Sequence, residues 1–107
     1  MKVNVLGAKY SLIESNSTKD VVLNDKDGYC DTSIKVCVVD EMNITDPNAK
    51  KNLPEYKKAV KRHELIHAFL YESGLDTQSW ANNEEMVDWI AIQFPKMLQA
   101  FKDAEAI

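Results

Sequence analysis

The chain changes its hydrophobic rhythm once, near its middle. Up to about residue 46, apolar and polar positions tend to alternate: Val3 and Val5, Tyr10 and Leu12, then Ile34, Val36 and Val38 separated by Lys35 and Cys37. A period of two puts alternate side chains on one face of a strand. Asp25-Lys26-Asp27-Gly28 reads as a turn, because Gly28 takes a positive φ at little cost, and Asp31-Thr32-Ser33 reads as another. This half predicts a small antiparallel sheet of three to four strands, its last hairpin formed by residues 28–31 and 33–40. Residues 17–23 suit either a short helix capped by Ser17 or Thr18, or a further strand.

Residues 43–53 read as a polar loop containing Pro47 and Asn52. The period then changes. Pro54 suits the first turn of a helix, and Tyr56, Ala59, Val60, Ile66, Phe69 and Leu70 follow at helical spacing. Gly74 is placed to end that helix in a left-handed cap, which predicts a helix over 54–73. A loop follows through Trp80, and Trp80 and Trp89 are expected in the core or in a cleft wall. Asn82 or Asn83 then caps a second helix over 83–105, with Glu84 and Glu85 in the first turn, where the helix dipole favours carboxylates. Its apolar face is Val87, Ile90, Ala91, Phe94, Met97, Leu98 and Phe101. Pro95 is expected to bend or divide it, since the carbonyl of Ala91 loses its donor. The whole pattern is α+β in one domain: a small sheet packed on a central helix and a second, C-terminal helix.

Composition adds exclusions. The 107 residues are 45% apolar and 28% charged, which suits one ordinary core and excludes collagen-like and disordered classes. No apolar run is long enough to span a bilayer, and the first residues lack the apolar stretch of a secretory leader. A cytoplasmic location is the expectation. Thirteen basic against seventeen acidic residues give a net charge of −4, which argues against general nucleic-acid binding. The basic run Lys50, Lys51, Lys57, Lys58, Lys61 and Arg62 is expected to be a solvated helix face. Cys30 and Cys37, the only two cysteines, are expected as thiols that pack as small apolar residues on strands; a disulfide across the hairpin is the alternative.

Both histidines of the chain fall within five residues, His63-Glu64-Leu65-Ile66-His67. On a helix, positions i and i+4 share a face, so the two imidazoles can ligate one metal ion. Glu64 projects at another angle and can reach a water on that metal without being a ligand. This is H-E-x-x-H, the signature of zinc metallopeptidases. Several apolar neighbours (Val60, Leu65, Ile66, Ala68, Phe69) suggest a buried helix, in which a bound cation offsets the cost of desolvating these polar groups.

A catalytic zinc site takes three protein ligands and keeps one position open. With no third histidine, the remaining candidates are carboxylates or the cysteines. Glu84 shares a helical face with Val87, Asp88, Ala91 and Phe94 and so is expected to point inward, whereas Glu85 shares a more peripheral face with Trp89, Ile92 and Lys96. Glu84 is therefore the expected third ligand. Asp88, one turn on, can accept a hydrogen bond from the second ring nitrogen of a ligating histidine.

The H-E-L-I-H run with a downstream Glu-x-x-x-Asp resembles the gluzincin branch of the zincins. The strands before the motif and the stretch from Glu84 to Ala91 look most like the compact ImmA/IrrE-type zincins common in phages and integrative elements. The resemblance is close at the metal motifs and loose over residues 28–98; Asp88 stands where that pattern usually has Asn. It implies one zinc ion per chain held by His63, His67 and Glu84, with Glu64 as general base and Asp88 orienting a ligand. It implies hydrolysis of peptide bonds in a protein or peptide substrate. An extended substrate is expected to add to the sheet edge along residues 34–40. Tyr29 and Tyr71 are expected to be packing residues. The alternative is a non-catalytic, zinc-stabilised binding or regulatory module that engages a host protein. Glu64 separates the two, because a structural site needs no base and is usually closed by a fourth protein ligand. The sequence leaves the oligomeric state open.

Overall fold

A computed structural model of the chain describes residues 1–42, 51–77 and 79–107. Strands β1 (Lys2–Val5) and β2 (Ala8–Ser15) form one antiparallel hairpin; β3 (Gly28–Asp31) and β4 (Val36–Asp40) form a second. Helices α1 (Leu53–Glu72) and α2 (Glu84–Asp103) follow. The architecture is α+β, as the change of period predicts. The expected polar loop with Pro47 lies mostly outside the described residues.

The sheet is mixed rather than antiparallel. Its order is β1-β2-β4-β3, and β4 runs parallel to β2 in the register Leu12↔Cys37. Residues 16–27 carry the chain across so that the second hairpin docks with β4 inward. Physically, β4 is the strand with both faces apolar: Cys37 and Val39 are fully buried, and Val38, pointing the other way, is 2% exposed. Burial on both faces suits an interior strand with a parallel neighbour. The expected phase of this strand is also corrected. Ile34 lies in the turn and is 66% exposed, and the core-facing positions are Cys37 and Val39. Because β4 is interior, it offers no edge along residues 34–40; the sheet edges are β1 and β3.

Residues 17–23 adopt neither expected form in full. A short 3-10 helix spans Val21–Asn24, and its cap is Asp20, whose side chain accepts the amide of Val22. Tyr29 donates its hydroxyl to the same Asp20 carboxylate, tying this connection to β3.

The core lies between one sheet face (Val5, Tyr10, Leu12, Cys37, Val39) and α1 (Val60, Ala68). Helix α1 begins at Leu53 with Pro54 in its first turn. It ends as predicted: Gly74 sits at φ +77°, the amide of Leu75 reaches the carbonyl of Leu70, and that of Gly74 reaches Tyr71. The basic run does more than face solvent. Lys57 and Lys61 both pair with Glu14 of β2, at 2.6 and 3.8 Å. Lys50 lies outside the described residues.

Helix α2 opens with Asn83, whose side chain accepts the amide of Met86. Val87 and Ala91 are buried, but Phe94 and Phe101 are partly exposed. Pro95 does not divide the helix, which runs unbroken from Glu84 to Asp103. The carbonyl of Ala91, deprived of its in-helix donor, accepts Nε of Arg62 from α1 at 2.5 Å instead. Trp80 and Trp89 are not core residues: they are 83% and 52% exposed.

Candidate metal centre

His63 and His67 sit one turn apart on α1 with ring centroids 4.9 Å apart. Their Nε2 atoms are 3.2 Å apart. Glu84, the first residue of α2, closes the group: Oε1 lies 2.7 Å from His67 Nε2 and Oε2 lies 3.1 Å from His63 Nε2. The ligating atoms of these three residues all fall within 4.8 Å of one another. Asp88, one turn along α2, has Oδ1 3.3 Å from His63 Nδ1. Sequence reasoning picked all four residues, and the fold brings them together. Glu85 is exposed and takes no part in the group. One detail differs: Glu84 is not an inward residue in the sense of burial. Its side chain is 69% exposed and reaches the histidines from the rim of the cleft.

This donor set fits a divalent transition metal. With Asp88 accepting the Nδ1 proton of His63, Nε2 of that ring is left with a lone pair aimed at His67 and Glu84. Two imidazole nitrogens and a carboxylate converging on one point carry only lone pairs and negative charge, an arrangement that a cation stabilises. Two His and one carboxylate is a zinc-ligand set, and it leaves a coordination position for water. Burial lowers the pKa of His67 below its usual value, although Glu84 opposes the shift. Burial therefore favours the neutral imidazole, which is the form that binds metal.

Glu64 faces the same cleft but is 7% exposed. Burial pushes its carboxyl up to about 7, and Glu84 pushes the same way against His63 and Lys26. A carboxyl balanced near neutrality suits a group that both takes and gives a proton. Its burial depends on Gly28. A Cβ at that position would lie 2.8 Å from the carbonyl oxygen of Val38, 3.1 Å from Val60 and 3.2 Å from Cγ of Glu64. Gly28 is thus explained by the close approach of β3 to the Val38 carbonyl of β4 and to α1, not by a positive φ; only Gly7 and Gly74 among the glycines have one.

The cleft measures about 990 Å³. Besides the residues already named, Lys26, Asp27, Tyr56, Asp76 and Ile92 line it. Sequence reasoning did not assign these to the site. Tyr56 had a usable signal: it precedes His63 by seven residues, two helical turns, and so shares its face. Its hydroxyl donates to Asp27, the residue before β3. Asp27 had none, since its place depends on how the hairpin docks. Tyr29 lines the cleft as well as binding Asp20, and Tyr71 stacks under Lys35, with Nζ 5.5 Å from the ring centroid.

Cys30 and Cys37 are direct cross-strand partners, both thiols, with sulfurs 3.4 Å apart. Cys37 is buried and its thiol also approaches the carbonyl of Glu64 at 3.6 Å. No helix is long and apolar enough to cross a membrane among the described residues. Compared with protein-family models, with curated proteins and with solved structures, the chain matches none.

Proposed function

We propose that this chain is a zinc-dependent metallopeptidase acting on a protein or peptide substrate, with one zinc per chain on His63, His67 and Glu84. The observation that carries the reading is the convergence of those three donors within 4.8 Å, beside a buried glutamate that is not one of them. Zinc bound there supplies Lewis acidity that brings the pKa of a water down to about 7. Glu64 accepts the proton of the attacking water and passes it to the departing amine. Asp88 holds His63 in the tautomer that ligates through Nε2. Burial, which lowers the pKa of His67, would favour the neutral ring that ligates a metal.

An extended substrate adds to β3, a sheet edge beside the cleft that carries no further strand among the described residues, through main-chain hydrogen bonds. This replaces β4, the strand expected from sequence. Gly28, Tyr29 and Cys30 of β3 all line the cleft, so a peptide on that edge passes the metal ligands. A reducing, cytoplasmic setting belongs to the same proposal, because it keeps Cys30 and Cys37 as thiols.

The test has two arms. Metal analysis of the purified chain gives close to one zinc, lost in His67→Ala. Glu64→Gln keeps the zinc and abolishes cleavage in a broad peptide library. Zinc without cleavage in the unaltered chain would instead favour a zinc-stabilised binding module.

A further inference from the structure

We infer that Arg62 is a positioning residue for the metal centre: its hydrogen bond to the Ala91 carbonyl sets the register of α2 on α1 and thereby delivers Glu84 to the two histidines. This rests on the zinc reading of the site.

Pro95 has no amide proton, so the carbonyl of Ala91 has no donor four residues on. A buried carbonyl left unpaired is costly, and Ala91 is fully buried. The donor comes from the other helix. Nε of Arg62 lies 2.5 Å from that oxygen, a charge-assisted bond between helices. Its two ends are placed to matter. Arg62 immediately precedes the ligand His63. Ala91 lies on the same face of α2 as Asp88 and Glu84, three and seven residues earlier, so the bond sits two turns, about 10 Å, from the third ligand.

Packing alone gives this interface little axial definition. The buried residues of α2 are Val87 and Ala91 alone, and the buried apolar residues of α1, Val60 and Ala68, belong to the core against the sheet. Smooth, small contacts of this kind resist sliding weakly, whereas a hydrogen bond to one carbonyl has one register. Glu84 also lacks burial of its own at 69% exposure, so its position follows the helix that carries it. The proline therefore creates an acceptor on α2 that one side chain of α1 can reach.

The test is zinc affinity, measured with zinc ion alone against a chromophoric chelator. Arg62→Met keeps the aliphatic stem and removes the donors. Zinc affinity is expected to fall at least about tenfold, with helical circular dichroism retained. In a Glu84→Ala background the same substitution is expected to change affinity less than about twofold, because Arg62 acts through Glu84. The sign is informative. Removing a cation beside a dication site would, by charge alone, tighten zinc. Affinity unchanged or raised in Arg62→Met overturns the inference, as does an equal loss in both backgrounds. Should Arg62→Met fail to fold, the double variant Arg62→Met/Pro95→Ala, in which an in-helix donor satisfies Ala91, is compared with the unaltered chain, and the same loss of zinc affinity is expected. A starting chain that takes up no zinc overturns the metal reading itself; zinc bound equally with and without Arg62 overturns only the positioning role.

Discussion

Asp88 holds the far side of His63: its Oδ1 lies 3.3 Å from Nδ1, while Nε2 of the same ring faces Glu84 and His67. A carboxylate in that position fixes the ring's orientation and tautomer and raises its basicity as a ligand. Asp88→Ala is expected to weaken zinc binding about 10- to 100-fold while leaving the fold intact. Asp88→Asn, which keeps an acceptor oxygen, is expected to lose less. Chelator competition on the two variants checks the order.

Gly28→Ala is expected to destabilise the chain. The added Cβ would meet the Val38 carbonyl at 2.8 Å, a backbone atom that cannot step aside, with Val60 and Glu64 close behind. Overpacking of this kind costs about 1–3 kcal/mol, which lowers Tm by at least about 4 °C for a domain of this size. The same change forces β3 off α1 and opens Glu64 to water. Thermal unfolding followed by circular dichroism measures the first effect; an unchanged Tm would mean that β3 does not lie this close.

Stability is expected to fall above about pH 10. Burial and the Glu72 carboxylate raise the phenol of Tyr10 well above its usual value. A bond to Asp20 raises Tyr29 to about 12, and burial with a bond to Asp27 raises Tyr56 to about 12. A group whose folded pKa is raised stabilises fully below its unfolded value, here 10.0, and the contribution is lost as pH rises toward the folded value. Denaturant midpoints between pH 8 and 11.5 check this. Tyr10→Phe should show a shallower decline, since that phenol can no longer ionise.

The two thiols should differ in reactivity. Cys37 donates to Cys30, which lowers the pKa of Cys30 and raises that of Cys37. Cys30 also lines the cleft, whereas Cys37 is fully buried. Iodoacetamide at neutral pH is expected to alkylate Cys30 first, as read by peptide mass mapping. Equal labelling would contradict the placement of Cys37.

What could be read from the sequence was the part with local causes. The helix ends at Gly74 and Asn83 follow from capping chemistry, and the pairing of His63 with His67 follows from a four-residue step on one helix. Choosing Glu84 over Glu85 needed only the face shared with Val87 and Ala91. Non-local features were hidden. The parallel β2–β4 pair follows from how two hairpins dock, which local alternation does not encode, so residues 34–40 read as an edge; and with both faces of β4 buried, alternation does not give its phase. The continuity of α2 through Pro95 could not be foreseen either, because the missing donor is supplied by Arg62, 29 residues away. Gly28 reads as a turn glycine in the sequence, but its constraint comes from Val38, Val60 and Glu64, which only the packed fold brings to it.

The most direct measurement is an anomalous difference map collected at the zinc edge from crystals of the chain grown with zinc. A single peak among Nε2 of His63, Nε2 of His67 and the carboxylate of Glu84, with an open position toward the cleft, is the expected result. A well-ordered chain with no peak there, or with zinc closed off by a fourth protein ligand, would contradict the catalytic metal centre.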